Sequence, residues 1–315
     1  MITQINMMKL TAFITLLFFA STINGQKIFS KTFGNPLNKP LIFLHGGPGY
    51  NSVNFEVTTA KRIAEKGFFV IVYDRRGEGR SQGAAAKFTF EETFNDLLNI
   101  YKENNLTKAT MLGHSFGGIV ATLFAEKYPD KVNQIVLISA PVALQETFNT
   151  IINSCKSIYE TKKDSTNLMY ISMLESMDKT SIEFSSYCFA HAIQNGFYFP
   201  KNLSEEAKSL YSNMRNDTLI KKYASQMTIE APQGFWQNEK YTTINLTSNL
   251  KNLKVKGVPV FGLYGKDDGL YSFQQVENLK NILGNNNLKY FENCSHNVFC
   301  DQQTSFVDSI VNWIK

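Results

Sequence analysis

The chain contains few of the residues that build metal centres and disulfide frameworks. Its 315 residues include only four cysteines and four histidines. No two cysteines have the C-x-x-C spacing of common zinc sites, so we expect no metal site and no cofactor. Cys155 and Cys188 lie in one region and Cys294 and Cys300 in another. This arrangement is compatible with disulfides and equally with free buried thiols.

Charge is also modest. Charged residues make up 19% of the chain, and the net charge is +5, without a run of basic residues. This pattern is typical of a solvated surface and not of a nucleic-acid interface, so we expect no nucleic-acid partner. The sequence has no internal repeat and no low-complexity stretch, and it leaves the oligomeric state open.

A long apolar run occurs at the N-terminus. Lys9 precedes the apolar residues 10–20, which are too few to span a bilayer comfortably, and small and polar residues follow. This layout is typical of a secretory signal peptide, which we place over residues 1–25. We therefore expect an exported protein, periplasmic or secreted, with no stable membrane insertion after cleavage. An uncleaved membrane anchor is the alternative interpretation of the same run.

Short apolar runs then alternate with amphipathic segments. They predict strands at 41–45, Phe68–Tyr73, 110–113 and 134–138, and helices within 52–66, at 90–104 and at Phe116–Lys127. Thr89 is the expected N-cap of the 90–104 helix, with Glu92 completing a capping box. A hydrophobic content of 43% is enough for a full α/β core. The alternation predicts a doubly wound, mostly parallel sheet covered by helices on both faces.

The alternation stops after residue 140. Residues 144–250 have a helical pattern, and strand-like runs resume at 258–264 and 287–291. We therefore divide the chain after the leader into three parts. Residues 26–143 are the first part of the core, residues 144–250 are a helical segment, and residues 251–315 complete the core.

A serine between two glycines is the most informative motif. Ser115 lies in the sequence GHSFG, directly after a strand-like run and directly before the helix that begins at Phe116. So sharp a turn requires glycine on both sides, because side chains two residues from the serine would collide. The turn exposes the serine hydroxyl at a helix N-terminus, where backbone N–H groups favour a developing negative charge.

A second glycine-rich motif, HGGPG at residues 45–49, follows the strand-like run 41–45. Such a loop brings a backbone N–H close to a reacting carbonyl oxygen. Pro48 carries no N–H, so we assign this role to Gly47. The N–H of Phe116, the residue after the serine, is expected to complete the oxyanion hole.

A third motif, DRRGEGRS at residues 74–81, lies between these two. With HGGPG and GHSFG in this order, the chain resembles the α/β-hydrolase family and, more narrowly, its proline iminopeptidase branch. The resemblance covers nearly everything after the leader. It implies an α/β-hydrolase fold with a helical cap, residues 144–250, inserted between the sixth and seventh strands. The short stretch before residue 41 implies that the family's N-terminal hairpin is shortened here.

The family's chain order of serine, acid and histidine suggests the other members of a catalytic triad. His296 lies beyond the last strand-like run and fills the position of the histidine. Two aspartates, Asp267 and Asp268, follow the run 258–264. The spacing usual in the family selects Asp268, with Asp267 as the alternative. A serine at the turn excludes the dehalogenase and epoxide hydrolase branches, which use an aspartate there.

The remaining histidines are interpreted as structural. His45 is expected to shape the oxyanion loop, His114 to pack beside the turn, and His191 to lie in the cap. Asp74 precedes the serine in the chain, and we expect it to form a structural ion pair with Arg76.

The function that follows is hydrolysis through an acyl-enzyme, without a cofactor, on a small-molecule or short-peptide substrate. The resemblance implies an aminopeptidase acting on short peptides or amino-acyl amides. Glu230 and Glu239, which flank Trp236, are then candidate contacts for the substrate. Phe116 replaces the tryptophan usual in this branch, so a carboxylesterase or lipase-like hydrolase of small or acyl esters is the alternative. A non-catalytic ligand-binding protein of the same fold is a third possibility.

Overall fold

The computed structural model describes residues 27–314, so the expected signal peptide lies outside the described residues. The strands are β1 Ser30–Phe33, β2 Lys39–Leu44, β3 Phe68–Tyr73, β4 Ala109–His114, β5 Val132–Ile138, β6 Val260–Gly265 and β7 Leu288–Phe291. They form one sheet in the order β1-β3-β2-β4-β5-β6-β7. β1 is antiparallel to β3, and the other neighbouring pairs are parallel.

The central strands are buried on both faces. All six residues of β3 and all six of β4 are buried. Along β2, Ile42 and Leu44 join one hydrophobic cluster, whereas Leu41 and Phe43 join the other. Because strand side chains alternate between faces, the two clusters lie on opposite sides of the sheet. The predicted α/β-hydrolase fold with a mostly parallel sheet is confirmed.

The helices follow the strands in the alternation that the sequence predicts. They are α1 Val53–Phe55, α2 Lys61–Ala64, α3 Phe90–Glu103, α4 Phe116–Lys127, α5 Leu144–Lys162, α6 Ser165–Ser176, α7 Ile182–Gln194, α8 Glu205–Met214, α9 Thr218–Tyr223, α10 Glu230–Glu239, α11 Thr247–Val255, α12 Phe273–Leu283, α13 Val298–Asp301 and α14 Gln303–Trp313. A π-helical stretch, Glu56–Ala60, joins α1 to α2.

The start of α3 agrees with the sequence in part. The Thr89 side chain accepts a hydrogen bond from the Glu92 N–H at 3.2 Å, as expected of an N-cap. The capping box is not formed, because the Glu92 carboxylate accepts from the N–H of Lys87 at 2.6 Å. The Glu92 side chain therefore binds the loop before the helix and not the backbone N–H of the N-cap residue Thr89.

Helices α5 to α11 form the inserted segment. It lies between β5 and β6, which are the fifth and sixth strands of this chain. Among residues 27–314, a single strand, β1, precedes β2. The expected position between the sixth and seventh strands assumed one more strand before β2. Within residues 27–314, the N-terminal part of the sheet consists of the single antiparallel edge strand β1.

Within the described residues, no helix is both long enough and apolar enough to cross a bilayer. The same part of the chain contains no group of three or more His, Cys, Asp or Glu residues that could hold a metal. All four cysteines are buried free thiols, which is one of the two arrangements that the sequence allowed. Burial raises the pKa of the Cys155 thiol to about 12, so this thiol is uncharged at neutral pH.

Candidate active site

Ser115 occupies a strained turn between β4 and α4. Its backbone φ of +50° and ψ of −123° lie in a region that residues other than glycine rarely adopt. The turn is held on both sides: the Ser115 N–H donates to the Ile138 carbonyl at 2.9 Å, and the Gly118 N–H donates to the Ser115 carbonyl at 2.8 Å. The serine is thus placed directly at the N-terminus of α4, where the N–H groups of the first turn have no partner inside the helix.

The two flanking glycines are required by close backbone contacts. A Cβ atom on Gly113 would lie 2.6 Å from the Gly118 Cα, and one on Gly117 would lie 2.1 Å from the Leu44 carbonyl oxygen. Neither space admits a side chain. The steric reason for glycine that the sequence suggested is therefore present in the structure.

His296 and Asp268 meet at the carboxyl edge of the sheet. The His296 Nδ1 lies 2.9 Å from the Asp268 Oδ2, and both side chains are buried. Because a carboxylate accepts hydrogen bonds, Nδ1 donates and the Nε2 of the neutral ring is left as an acceptor. The Leu270 N–H donates to the other carboxylate oxygen at 3.1 Å and fixes its orientation.

Asp267 has a different environment. One of its oxygens accepts from the Lys201 N–H at 3.1 Å, and the other lies 4.0 Å from the Lys201 Nζ, which is largely exposed. The structure therefore brings Asp268 to His296 and turns Asp267 towards the cap. Of the two aspartates that the sequence left open, Asp268 is the one with the geometry of a triad acid.

His114 links the serine turn to His296. Its Nε2 lies 3.1 Å from the His296 carbonyl oxygen, and the two rings are 4.9 Å apart between centroids. Burial and the neighbouring His296 lower the pKa of His114 well below its usual value, so its ring stays neutral. His114 packs beside the turn, as its sequence position suggested.

A small cavity of about 30 Å³ opens at Ser115. Gly47 and Phe116, the expected oxyanion-hole residues, both line it. Other lining residues come from the core and from the cap: Ile119, Pro141, Leu144, Thr147, Phe189, Tyr241, Leu270 and Tyr271. The cavity thus lies where the cap covers the nucleophile and both expected N–H donors.

An ion pair that the sequence did not reveal holds the oxyanion loop. Arg75 is buried, and it donates to the His45 and Gly46 carbonyl oxygens, both at 2.5 Å, and to Glu78 at 2.8 Å. Glu78 in turn accepts from the Gly49 N–H at 2.6 Å. Backbone groups on either side of Gly47 are therefore fixed by one buried charge pair. The residues were visible in the DRRGEGRS motif, but their partners depend on tertiary contact.

His45 is structural, as the sequence indicated. Its Nε2 accepts from the Arg75 N–H at 3.0 Å, and its Nδ1 lies 2.8 Å from the Gly46 carbonyl oxygen. Burial, followed by the nearby Arg75 charge, lowers the pKa of His45 well below its usual value. A neutral ring with its proton on Nδ1 satisfies both contacts.

The expected ion pair between Asp74 and Arg76 is wrong. Asp74 pairs with Arg80 at 2.7 Å and accepts from the Ser52 hydroxyl at 2.7 Å, whereas Arg76 donates to Asp96 at 3.0 Å. The turn after β3 folds back at Gly79–Ser81 and places Arg80 over Asp74. Burial opposes ionisation of Asp74, but the bonds from Arg80 and Ser52 outweigh it and hold its pKa below the usual value.

The proposed substrate contacts on α10 lie apart from the cavity. The Glu239 carboxylate accepts from the Phe90 N–H at 2.7 Å, and the Trp236 Nε1–H donates to the Thr180 carbonyl at 2.8 Å. Glu230 is exposed. None of the three is among the residues that line the cavity. Because α10 uses Trp236 and Glu239 to anchor neighbouring segments and leaves Glu230 exposed, the structure does not bring these side chains to Ser115.

A buried carboxylate beneath the histidine loop was also missed. Asp301 accepts from the Tyr211 hydroxyl at 2.6 Å and from the Ser295 N–H at 2.8 Å. Burial raises the pKa of Asp301 to about 6 despite these bonds. Since Ser295 precedes His296 and Tyr211 belongs to α8 of the cap, Asp301 joins the cap to the loop of the candidate base. Its spacing from His296 gave no signal in the sequence.

Comparisons with known proteins show the family and the fold. The sequence profile of the alpha/beta hydrolase fold family matches residues 39–303. A putative proline iminopeptidase of Mycoplasma pneumoniae is 23% identical over 296 residues, which cover 87% of this chain and 89% of that protein. The proline iminopeptidase of Clostridioides difficile (strain 630) is 36% identical over 107 residues, but this match covers 33% of this chain and only 36% of that relative.

The fold also resembles that of a solved enzyme. An esterase from Exiguobacterium antarcticum has a TM-score of 0.61 at 21% sequence identity, covering 93% of this chain and 97% of that one. At this identity the likeness concerns the fold alone. The profile match covers most of the sequence, and several relatives are proline iminopeptidases. The chain therefore belongs to the α/β-hydrolase fold family, near its proline iminopeptidase-like members.

Proposed function

We propose that the protein is a serine hydrolase in which Ser115 is the nucleophile, His296 the general base and Asp268 the acid that orients it. The observation that carries this proposal is the 2.9 Å contact between His296 Nδ1 and Asp268. Such a pair fixes the tautomer in which Nε2 can take the serine proton. The His296 ring lies 4.9 Å from that of His114, which directly precedes the strained turn of Ser115.

The reaction proceeds through an acyl-enzyme. Ser115 attacks the substrate carbonyl as His296 takes its proton, and the N–H groups of Gly47 and Phe116 bind the oxyanion. His296 then protonates the leaving group. In the second half of the reaction it activates the water that releases the acid and restores the free serine.

The cavity favours an uncharged, small acyl group. Its eleven lining residues, all within the described chain, include no Asp and no Glu. A charged substrate group would thus be desolvated there without a counter-ion, at a large cost in free energy. The volume of about 30 Å³ is close to that of one water molecule. Esters, or reactive amides, of short neutral acids therefore fit this site best.

A proline iminopeptidase-like aminopeptidase is the second candidate. The HGGPG and DRRGEGRS motifs and the iminopeptidase relatives favour it. This activity needs a carboxylate near the free amine of the substrate. The acids on α10 could serve only if the cap rearranged around the bound substrate.

Hydrolysis of a matched substrate panel distinguishes the two candidates. We expect turnover of p-nitrophenyl acetate and butyrate and little turnover of L-proline 2-naphthylamide. The Ser115→Ala variant is the control for background hydrolysis. If the prolyl amide is cleaved efficiently and its N-acetylated form is not, the aminopeptidase assignment replaces the esterase assignment.

A further inference from the structure

Thr147 is a buried cap residue at the cavity that contains Ser115. It lies in the first turn of α5, it is 1% exposed, and it lines the cavity that also contains Ser115. The cavity has room for about one water molecule, so groups that line it lie within a short distance of a bound carbonyl carbon. A polar side chain in this position is therefore near the place where an acyl group would be bound to Ser115.

The Thr147 hydroxyl has no hydrogen-bond partner among the described residues. Buried hydroxyls are normally paired, because removing them from water without a partner costs free energy. Residues 27–314 contain few buried side-chain atoms without a hydrogen-bond partner. Among them, only Thr147 Oγ1 belongs to a residue that lines this cavity.

Other helical threonines of this chain behave differently. Thr93 donates to the Thr89 carbonyl at 3.0 Å, Thr122 to the Gly118 carbonyl at 2.8 Å, and Thr161 to the Ser157 carbonyl at 2.9 Å. Each uses the carbonyl four residues earlier, as threonines in helices commonly do. For Thr147 that carbonyl belongs to Ala143, and it accepts only backbone N–H groups. The Thr147 hydroxyl is therefore not satisfied by its own helix.

A second polar residue of the cavity, Tyr271, is already engaged. Its hydroxyl donates to the Ser139 carbonyl at 2.8 Å, so its position is fixed by the core. The Thr147 hydroxyl comes from the cap side and can both donate and accept. It is thus suited to a polar atom that a substrate brings into the cavity.

We propose that Thr147 Oγ1 hydrogen-bonds an uncharged polar atom on the α-carbon of the acyl group, which makes short α-hydroxyacyl esters the preferred substrate class. The α-carbon is implied because the hydroxyl and Ser115 share a cavity of about 30 Å³. A neutral partner is implied because no carboxylate lines it. This inference rests on the proposed serine hydrolase function and adds the identity of the acyl group.

The test compares ethyl propanoate with the two enantiomers of ethyl lactate, which differ from it by one hydroxyl. Hydrolysis is followed in a pH-stat, and each kcat/KM is divided by the rate constant for hydroxide-catalysed hydrolysis of the same ester. We expect the wild-type enzyme to prefer one lactate enantiomer over propanoate by roughly tenfold, the contribution of one hydrogen bond.

Variants assign this preference to the hydroxyl. Thr147→Val keeps the shape of the side chain and should abolish most of the preference for lactate over propanoate. Thr147→Ser should retain the preference. Thr93→Val, which removes a buried hydroxyl bonded within α3, is the matched control and should behave as wild type on all three esters.

Several results would overturn the proposal. They are an unchanged lactate preference in Thr147→Val, an equal loss on all three esters, or a wild-type enzyme without preference for either enantiomer. The wild-type comparison stands even if the valine variant fails to fold. A wild-type protein that hydrolyses none of the esters overturns the acyl-group assignment as well. Labelling of Ser115 by a fluorophosphonate then shows separately whether the proposed nucleophile is active.

Discussion

Arg75 and Glu78 form a buried ion pair, 2.8 Å between Nε and Oε1, beneath the loop that carries Gly47. The arginine binds two carbonyl groups of this loop, and the glutamate accepts from the Gly49 N–H. Both charges are almost fully enclosed. The pair therefore determines which way the backbone of the loop presents its N–H groups, and so connects the core to oxyanion stabilisation.

Removing one charge of this pair should damage both stability and catalysis. Breaking a buried ion pair from one side costs about 3–5 kcal/mol, because the remaining charge stays buried without its partner. We expect Glu78→Gln to lower the free energy of unfolding by that amount and to reduce kcat more than it raises KM. Chemical denaturation and steady-state kinetics measure the two effects. Glu205→Gln, at an exposed pair, is the control, and a Glu78 variant as stable as this control would disprove the structural role.

The two neighbouring aspartates should differ sharply in their effect on turnover. Asp268→Asn removes the acceptor for His296 Nδ1 and favours the wrong tautomer, so we expect kcat to fall by roughly 10³-fold or more. Asp267→Asn loses contacts with Lys201 near the surface and should change kcat by less than about threefold. The reverse order would show that Asp267 is the triad acid.

Asp301 should make the stability of the protein fall as pH rises. In the fold its pKa is raised to about 6, whereas an unfolded aspartate titrates near 4. The folded state therefore holds a proton that the unfolded state releases between these values. The contribution of the protonated Asp301 to the free energy of unfolding is complete below about pH 4 and is lost as pH rises through 6.

The Asp301→Asn variant isolates this effect. A shift of about two pKa units corresponds to ~3 kcal/mol, so wild type should lose up to this much stability relative to the variant between pH 4 and pH 7. Titrations of other groups occur in both proteins and cancel in the difference. Denaturation curves at several pH values give the measurement, and a difference that is constant with pH would contradict the expectation.

The size of the acyl pocket depends on Phe189 of the cap. This ring lines the cavity at Ser115 and packs against Phe148 at 5.5 Å between centroids. Phe189→Ala should enlarge the cavity and raise the ratio of butyrate to acetate hydrolysis by roughly tenfold, since a methylene is discriminated at about that level. Phe199→Ala, at an exposed ring, should leave the ratio unchanged. An unaltered ratio in the Phe189 variant would remove this ring from the acyl site.

The fold could be predicted from the sequence, and Ser115, Asp268 and His296 could be proposed as site residues, because local patterns and the resemblance to the family point to them. Each lies in a loop directly after an apolar run, and parallel strands bring such loops to one edge of the sheet. The glycines around Ser115 add a steric requirement that can be recognised without a structure. For Ser115, local chain geometry is sufficient, whereas His296 and the choice of Asp268 over Asp267 depend on the resemblance to the family.

The cap and the charge pairs could not be predicted in the same way. Glu230 and Glu239 were suggested by the resemblance and by their positions on either side of Trp236, but the packing of α10 against α3 directs Glu239 to a backbone N–H. Asp74 pairs with Arg80 because the chain folds back after β3, which sequence spacing does not show. Thr147, the cap residue proposed to bind the acyl group, carries no motif. Its proposed role follows from a hydroxyl that has no hydrogen-bond partner within α5, and sequence alone does not show this.

Covalent labelling of Ser115 tests the central claim most directly. Purified protein is treated with a fluorophosphonate, and the adduct is located by intact mass and peptide mapping. We predict one phosphonyl group on wild type, located at Ser115, no labelling of folded Ser115→Ala, and much slower labelling of His296→Ala. A wild-type protein that remains unlabelled, or a Ser115→Ala variant labelled at the wild-type rate, would contradict the assignment of Ser115 as an activated nucleophile.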